Sequence, residues 1–395
     1  MRDKYKKNLE NNIRNITAVV ALRNFILFTA VVIPFFGSLG LDFFHIMLIE
    51  TSFALTVLIM EVPSGYLADK FGRRKIIIIG SLFGFVGMLI YSFSSTFEFF
   101  VLSESLIGFA CSFISGADSA ILYDSLKELK REDEYKKIEG RREAIRTTAI
   151  GLAALLSGII ATFSFRANFF LTALTALISV IFALKLVEPK KAYSKSNVIT
   201  TKFVTVLKET LQHKELILMI LFSATIFGFS TAHFFVSQKF LEVINMPLIY
   251  FGLIFALANF GVAALSLFAY KIEKKIGLFY SMVLATIFAA SSFFIFGLTP
   301  TLIGIIGIFT YQFARGIRTP IVKDFINKRT ESSRRATVLS FDGFFGRGLF
   351  VIVSPIIGFL TVAIGFSTAT IILGIIIATG LLGTTLLLKL IMQKN

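Results

Sequence analysis

Ionisable side chains stand inside segments that are otherwise almost wholly apolar. Glu50 and Glu61 share one such segment, Glu104 and Asp118 another, and Arg315 and Arg318 a third. Charge in apolar surroundings is costly, so each is a candidate for chemistry: a carboxyl can carry a proton and a guanidinium can hold an anion. Glu50 and Glu61, eleven residues apart, fall on one helical face within about 20°. Glu104 and Asp118, fourteen apart, differ by about 40°. Glu50, Glu104 and Asp118 are the candidates for proton coupling. The competing role for Glu50 is an interhelical hydrogen bond. For Asp118 it is a fixed ion pair, with Arg318 as partner, and for Glu61 it is hydration at the membrane surface. Arg23 can instead snorkel toward water from its helix end. His233 is a candidate ligand for substrate or proton, against the commoner hydrogen-bonded core histidine. Gln312, Arg315 and Arg318 complete the polar set. Asp342 and Arg347 read as structural, and Asn259 as interhelical glue. The three histidines, His45, His213 and His233, are scattered and Cys111 is alone. No metal site, disulfide or catalytic constellation is expected, and no enzyme.

The segments holding these residues fix the solvent. Hydrophobic residues make up 55% of the 395-residue chain, charged residues only 16%, and mean hydropathy is +0.81. Such a chain needs lipid around it. A bilayer core of about 30 Å takes about 20 helical residues. Apolar runs of that length fall near 17–37, 43–66, 76–94, 98–124, 147–164, 168–187, 216–238, 247–270, 278–297, 301–322, 337–363 and 368–388. The expectation is an all-α membrane protein with twelve transmembrane helices. The net charge of +16 does not point to nucleic acid, because 34 of the 40 Lys and Arg fall in alternate loops and the termini. That bias places both termini in the cytoplasm and demands an even number of spans. The polar start of the chain, Met1 to Arg14, does not read as a cleavable signal, so the first apolar run is expected to be a retained span.

The two halves resemble each other at an offset of about 200. Gly116, Asp118, Ser119 and Asp124 match Gly316, Arg318, Thr319 and Asp324, and Gly158 matches Gly358. Two pseudo-symmetric six-helix bundles follow, residues 1–187 and 215–395, joined by a cytoplasmic linker, 188–214. Duplication of this kind puts a binding site between the halves near the midplane. The 46 Phe are spread over all spans and need no more than lipid and helix packing to explain them. Residues 127–146, mixed in charge, read as a short amphipathic cytoplasmic helix. No GxxxxGK[ST] loop occurs, so ATP-driven transport is not expected.

One motif narrows the class. Gly65-Tyr-Leu-Ala-Asp69-Lys-Phe-Gly72-Arg73-Arg74-Lys75 follows the second span. It resembles the Gly-x-x-x-Asp-x-x-Gly-Arg-Arg/Lys signature between spans 2 and 3 of the major facilitator superfamily. Glu61-Val-Pro-Ser-Gly65, SGADSAILYDSLKE and RRATVLS are similar to its bacterial efflux-like branch. The resemblance covers essentially the whole chain. It implies the twelve-helix fold of that family and a conformational latch built from Gly65, Asp69, Gly72, Arg73, Arg74 and Asp124. Physically, Gly65 suits close packing of spans 2 and 11, Gly72 a tight turn, and Asp69 a helix N-terminus. Arg73 then needs an acid, and Asp124 is the natural one. The competing role is an ordinary basic turn that fixes topology. The resemblance also places spans 1, 4, 7 and 10 around a central cavity, making Arg23, His233, Gln312, Arg315 and Arg318 candidate cavity residues. Span 5, GLAALLSGIIA, lacks the proline that drug antiporters of the family often carry.

The expected function is secondary active transport by alternating access, as a monomer in the plasma membrane. Proton-coupled export of small, lipophilic or drug-like molecules leads. A symporter or uniporter for a polar or anionic nutrient is the alternative, and a non-transporting membrane sensor the remote one. Beyond substrate, protons and lipid, no partner and no cofactor is expected.

Overall fold

A computed structural model of the protein describes residues 2–190, 199–331 and 334–394. Part of the expected linker, 191–198, lies outside the described residues. The described chain is helical throughout, in fourteen α-helices with short 3-10 turns. Among the described residues ten helices are long and apolar enough to cross a membrane, and Leu248–Val262 is a shorter apolar one. A twelfth crossing is consistent with α12 (Ile306–Arg329), which carries Arg315 and Arg318 among its apolar residues. Phe93, Phe163 and Phe260 are 73%, 86% and 71% exposed, apolar surface that a lipid surrounding would cover.

The helices run α1 (Arg2–Asn24), α2 (Val32–Ser38), α3 (Phe43–Phe71), α4 (Arg73–Phe93), α5 (Phe97–Ile114), α6 (Ala117–Glu128), α7 (Tyr135–Phe163) and α8 (Phe165–Leu184). After the linker helix α9 (Ile199–Gln212) come α10 (Lys214–Val243), α11 (Leu248–Leu298), α12, α13 (Arg335–Ile364) and α14 (Phe366–Lys394). Several boundaries differ from the hydropathy reading. The first span is broken between α1 and α2. The fourth is broken at Ser115–Gly116, where Gly116 has φ of +84°, a left-handed geometry that glycine adopts without a Cβ clash. Its repeat mate Gly316 lies within α12 instead, so the two halves differ in detail here. Residues 127–146 are no separate helix: after a 3-10 turn at Glu132–Glu134, α7 runs unbroken from the loop into the fifth span. Spans 8 and 9 form α11 with a single break at Gly277.

The chain divides into two compact units. The first holds Met1–Val32, Ser52–Ile199 and Leu248–Leu253, and the second Ile33–Thr51, Thr200–Pro247 and Ile254–Asn395. Each unit therefore contains a short piece from the other half of the sequence.

Those borrowed pieces are held by glycines. In the first unit, a Cβ on Gly158 of α7 would lie 2.6 Å from the Leu248 carbonyl oxygen, and one on Gly252 of α11 would collide with the Ala154 carbonyl. In the second unit, a Cβ on Gly358 of α13 would lie 2.8 Å from Phe44 Cα and 3.0 Å from Met47 Cβ, both on α3. Ser354 adds a hydroxyl that donates to the Met47 carbonyl at 3.0 Å. Gly158 and Gly358 thus do the same job at the same offset: each lets the start of a helix from the other half lie against it.

Each unit also has an aromatic core. In the first, Tyr91 stacks on Phe169 at 4.7 Å and on Phe28 at 5.4 Å. In the second, His233 is stacked between Tyr311 at 4.3 Å and Phe296 at 5.3 Å. Between α2 and α3, Asp42 accepts from the backbone and ring nitrogens of His45. Partial burial pushes its carboxyl up, but these hydrogen bonds prevail and hold it below the usual carboxylate range.

Candidate functional site

The motif after the second span is organised by backbone N–H groups as much as by charge. Gly72, with φ of +98°, ends α3 and leads into α4. The first N–H groups of a helix have no internal acceptor. Here Glu188 supplies one: its two carboxylate oxygens accept from Arg73 N at 3.0 Å and Arg74 N at 2.7 Å. A carboxylate in this position also meets the positive end of the helix dipole. Asp69, expected at a helix N-terminus, instead lies in the last turn of α3. Gly65 makes no close approach, since a Cβ there would meet no described atom within 4 Å.

The Arg73 guanidinium does pair with Asp124, and it also donates to the Ala120 carbonyl at 3.0 Å. Arg74 turns the other way and donates to the Leu184 carbonyl at 3.2 Å. Nearby, Asn12 bonds Ser125 Oγ at 3.0 Å and both backbone groups of Val187. Tyr5 and Lys190 N both reach Glu128. Glu188 and Asn12 thus tie the end of α8 to α4, α1 and α6.

Sequence reading passes over Glu188 as part of a linker. The available signal is an acid directly after a span, in a loop that is otherwise basic. Glu188→Ala is expected to destabilise the protein by about 1–2 kcal/mol, the usual worth of a lost helix cap with charge-assisted bonds. The temperature at which half the protein stays monodisperse in detergent measures it, and an unchanged temperature would remove Glu188 from this role.

Asp118 does not pair with Arg318. Its partner is Arg142 of α7, with Arg142 Nη1 at 3.1 Å from Asp118 Oδ2. Arg142 also donates to Ser119 Oγ at 2.7 Å and to Glu139 at 2.6 Å. Arg318 pairs with Asp342 of α13 and donates from Nε to Ser223 Oγ at 2.7 Å. The two pairs, 118 with 142 and 318 with 342, sit at one offset of 200 with their charges reversed. Asp118 is therefore a partner in a fixed ion pair, its competing role, but through a different arginine.

The remaining candidates fall as follows. Glu104 is 5% exposed and, among the described residues, no cation pairs with it. Its carboxyl lies by the Tyr91 hydroxyl. Glu50 is buried on α3, in the second unit. His233 has both ring nitrogens engaged, Nε2 with Ser292 at 2.6 Å and Nδ1 with Ser237 at 3.3 Å. That geometry fits the core histidine. Arg315 donates to Gln312 Oε1 at 2.7 Å, and among the described residues no carboxylate pairs with it. Arg23 faces a cavity within the first unit. Among the described residues no group of His, Cys, Asp and Glu could hold a metal ion.

An all-helical chain with ten described helices long and apolar enough to cross a membrane is built as an integral membrane protein. The family model of the Major Facilitator Superfamily matches residues 16–355, and the chain belongs to that family. Multidrug resistance protein 1 of Bacillus subtilis is 30% identical over 186 residues, 45% of this chain and 47% of that one. Quinolone resistance protein NorA of Staphylococcus aureus is 25% identical over 156 residues, 39% of each chain. These matches span about half or less of the relatives' length. An uncharacterized MFS-type transporter of Bacillus subtilis, YxaM, is 23% identical over 381 residues, 92% of each chain. Among solved structures, the nucleoside transporter NupG superposes with a TM-score of 0.77 at 14% identity, over 95% of this chain and 98% of that one. A peptide transporter POT gives 0.70 at 13% identity, over 98% and 94%. At such identities these structures share the fold.

Proposed function

We infer that the protein is a proton-coupled exporter of small lipophilic molecules in the plasma membrane, working by alternating access of its two six-span halves. In this reading residues 1–187 and 215–395 move against each other, 188–214 links them on the cytoplasmic side, and both termini face the cytoplasm. The chain functions as a monomer. The observation that carries the coupling is Glu104: a buried carboxyl with a tyrosine hydroxyl beside it and no cation among the described residues. Such a group can take up a proton and release it without breaking an ion pair. Asp118 is less suited, because its charge is committed to Arg142. Glu50 remains the second candidate. The relatives named for multidrug and quinolone resistance support export. Arg73 with Asp124, Gly72 and Glu188 would serve as the part that must rearrange during the cycle.

Arg315 favours a second reading, import of an anionic nutrient. Its guanidinium rests on a neutral amide, so an anion could take that place. The test is a proteoliposome assay with and without an imposed pH gradient, across lipophilic dyes, drugs, nucleosides and organic anions. Accumulation of a cationic dye against the proton gradient is the expected result; uptake of anions alone would favour the second reading. Glu104→Gln is expected to abolish gradient-driven accumulation while retaining substrate exchange. A variant that accumulates substrate at the wild-type rate would clear Glu104 of coupling.

A further inference from the structure

A groove of about 140 Å³ runs between α11 and α14, wholly within the second unit. It lies where two spans end: Leu278, in its wall, begins the expected span 278–297, and Lys389, opposite, follows directly on the span 368–388. Met282 and Leu388, both buried, make the wall apolar. Thr385 adds a hydroxyl, but it already donates to the Leu381 carbonyl at 2.7 Å. Among the described residues lining the groove, Lys389 alone is charged. Its side chain is partly exposed, and its ammonium lies 4.2 Å from the centre of the Phe279 ring, across the groove. That is within cation–π range. Among the described residues no carboxylate pairs with Lys389. The chain leading into the groove is mostly basic. Lys271, Lys274 and Lys275 precede Leu278 on α11 and are exposed. Glu273, the acid among them, is engaged electrostatically with Asp324 and Lys328 of α12.

A lysine at the end of a span ordinarily snorkels out into water. Here the ammonium is held back on a ring at the side of an apolar groove. At a membrane surface such a groove meets acyl chains, and an ammonium with no carboxylate beside it favours a phosphate. A zwitterionic headgroup brings a cation of its own, which the lysines of α11 repel; a headgroup of net negative charge brings none. Size narrows the occupant further. A cavity of about 150 Å³ holds benzene, so this groove takes a stretch of one acyl chain and leaves the rest of the lipid in the bilayer. We propose that the groove between α11 and α14 is a binding site for an anionic phospholipid, with acyl chain along Met282 and Leu388 and headgroup phosphate on Lys389. Which leaflet supplies the lipid rests on the proposed topology, in which both span ends face the cytoplasm, the side where basic segments meet anionic lipid. The site itself does not rest on that topology.

The sequence has no tryptophan, so Phe279→Trp puts a single fluorophore in the groove and keeps an aromatic ring under Lys389. The full chain is reconstituted in phosphatidylcholine bilayers. Dibrominated phosphatidylglycerol or dibrominated phosphatidylcholine, at equal fraction, is the quencher. Quenching should report a preference for phosphatidylglycerol of about fivefold, the worth of one lysine at an anionic surface. Adding Lys389→Gln should reduce the preference below about twofold. Leu387→Trp, made in place of Phe279→Trp, is the control. Leu387 is 52% exposed, two residues from Lys389 and outside the groove, and its preference should stay below about twofold. Equal quenching by the two lipids in Phe279→Trp would mean a groove that takes any acyl chain. Equal preference in Phe279→Trp and Leu387→Trp would mean a diffuse charged surface. Quenching by neither lipid would mean that protein, such as a second copy of the chain, fills the groove. Each of these results overturns the proposal. Should Phe279→Trp fold poorly, native mass spectrometry of the unsubstituted chain and of Lys389→Gln decides: phosphatidylglycerol should be retained by the first and lost from the second, and equal retention would overturn the site. Neither readout involves transport, so failure of the transport reading leaves both tests intact.

Discussion

Gly252→Leu is expected to cut transport at least about tenfold while the protein still reaches the membrane. A Cβ at this position runs into the Ala154 carbonyl, a backbone atom that cannot rotate away. The start of α11 and the middle of α7 can then no longer lie together. These helices come from opposite halves of the sequence, and so do α3 and α13, which meet at Gly358. On the proposed alternating-access reading, such contacts would form in one state and part in the other. Overpacking costs about 1–3 kcal/mol, and a penalty of that size on one state shifts a two-state equilibrium about 5–150-fold. Gly358→Leu should act in the same way. Gly151→Leu is the control, because it sits on the same helix as Gly158 with nothing within 4 Å of its Cβ position. Uptake rates at matched membrane abundance decide the matter. Wild-type transport by Gly252→Leu would mean that this seat does not open and close in the cycle.

The lipid-facing character of the chain was legible because the bilayer imposes one rule on every span. A long apolar run such as Ile76–Phe93 has few ways to be satisfied, and hydropathy finds it. Interruptions of the backbone are invisible to hydropathy. The breaks after Asn24 and at Gly116 leave the composition of their spans unchanged. The offset of 200 marked Gly158 and Gly358 as mates, yet it was silent on what they touch, since their partners lie far away in the sequence. Arg73 with Asp124 was readable from the motif because the acid ends the span that faces it. Arg142 was not, because its segment read as a detached cytoplasmic helix, whereas α7 carries it unbroken into the fifth span. Yet the signal was present: with 118 and 318 aligned, positions 142 and 342 hold Arg and Asp, each opposite in charge to its partner. Glu188 escaped because a helix cap depends on where the chain folds back, which composition does not encode.

Breaking the pair between Asp118 and Arg142 is expected to lower the yield of folded protein more than it alters coupling. Their side chains are 11% and 7% exposed, so Asp118→Asn leaves a guanidinium largely out of water with one acceptor fewer. Removing one partner of a buried pair costs about 3–5 kcal/mol, a large part of the stability of most proteins. Arg142→Gln should be as harmful from the other side. Arg318 and Asp342 show that this protein already builds the same pair with the charges exchanged, at the same offset in the second half. The double variant Asp118→Arg, Arg142→Asp should therefore recover much of the folded yield lost by either single charge change, Asp118→Arg or Arg142→Asp. Recovery will be incomplete, because an aspartate at 142 faces Glu139, which now accepts a hydrogen bond from Arg142. Adding Glu139→Gln removes that repulsion and should raise the yield again. The reading is the monodisperse fraction after extraction, for the single, double and triple variants together. A double variant no better than the worse single would show that the pair is held by its surroundings and not by its own attraction. The repeat at 318 and 342 would then be a coincidence of spacing.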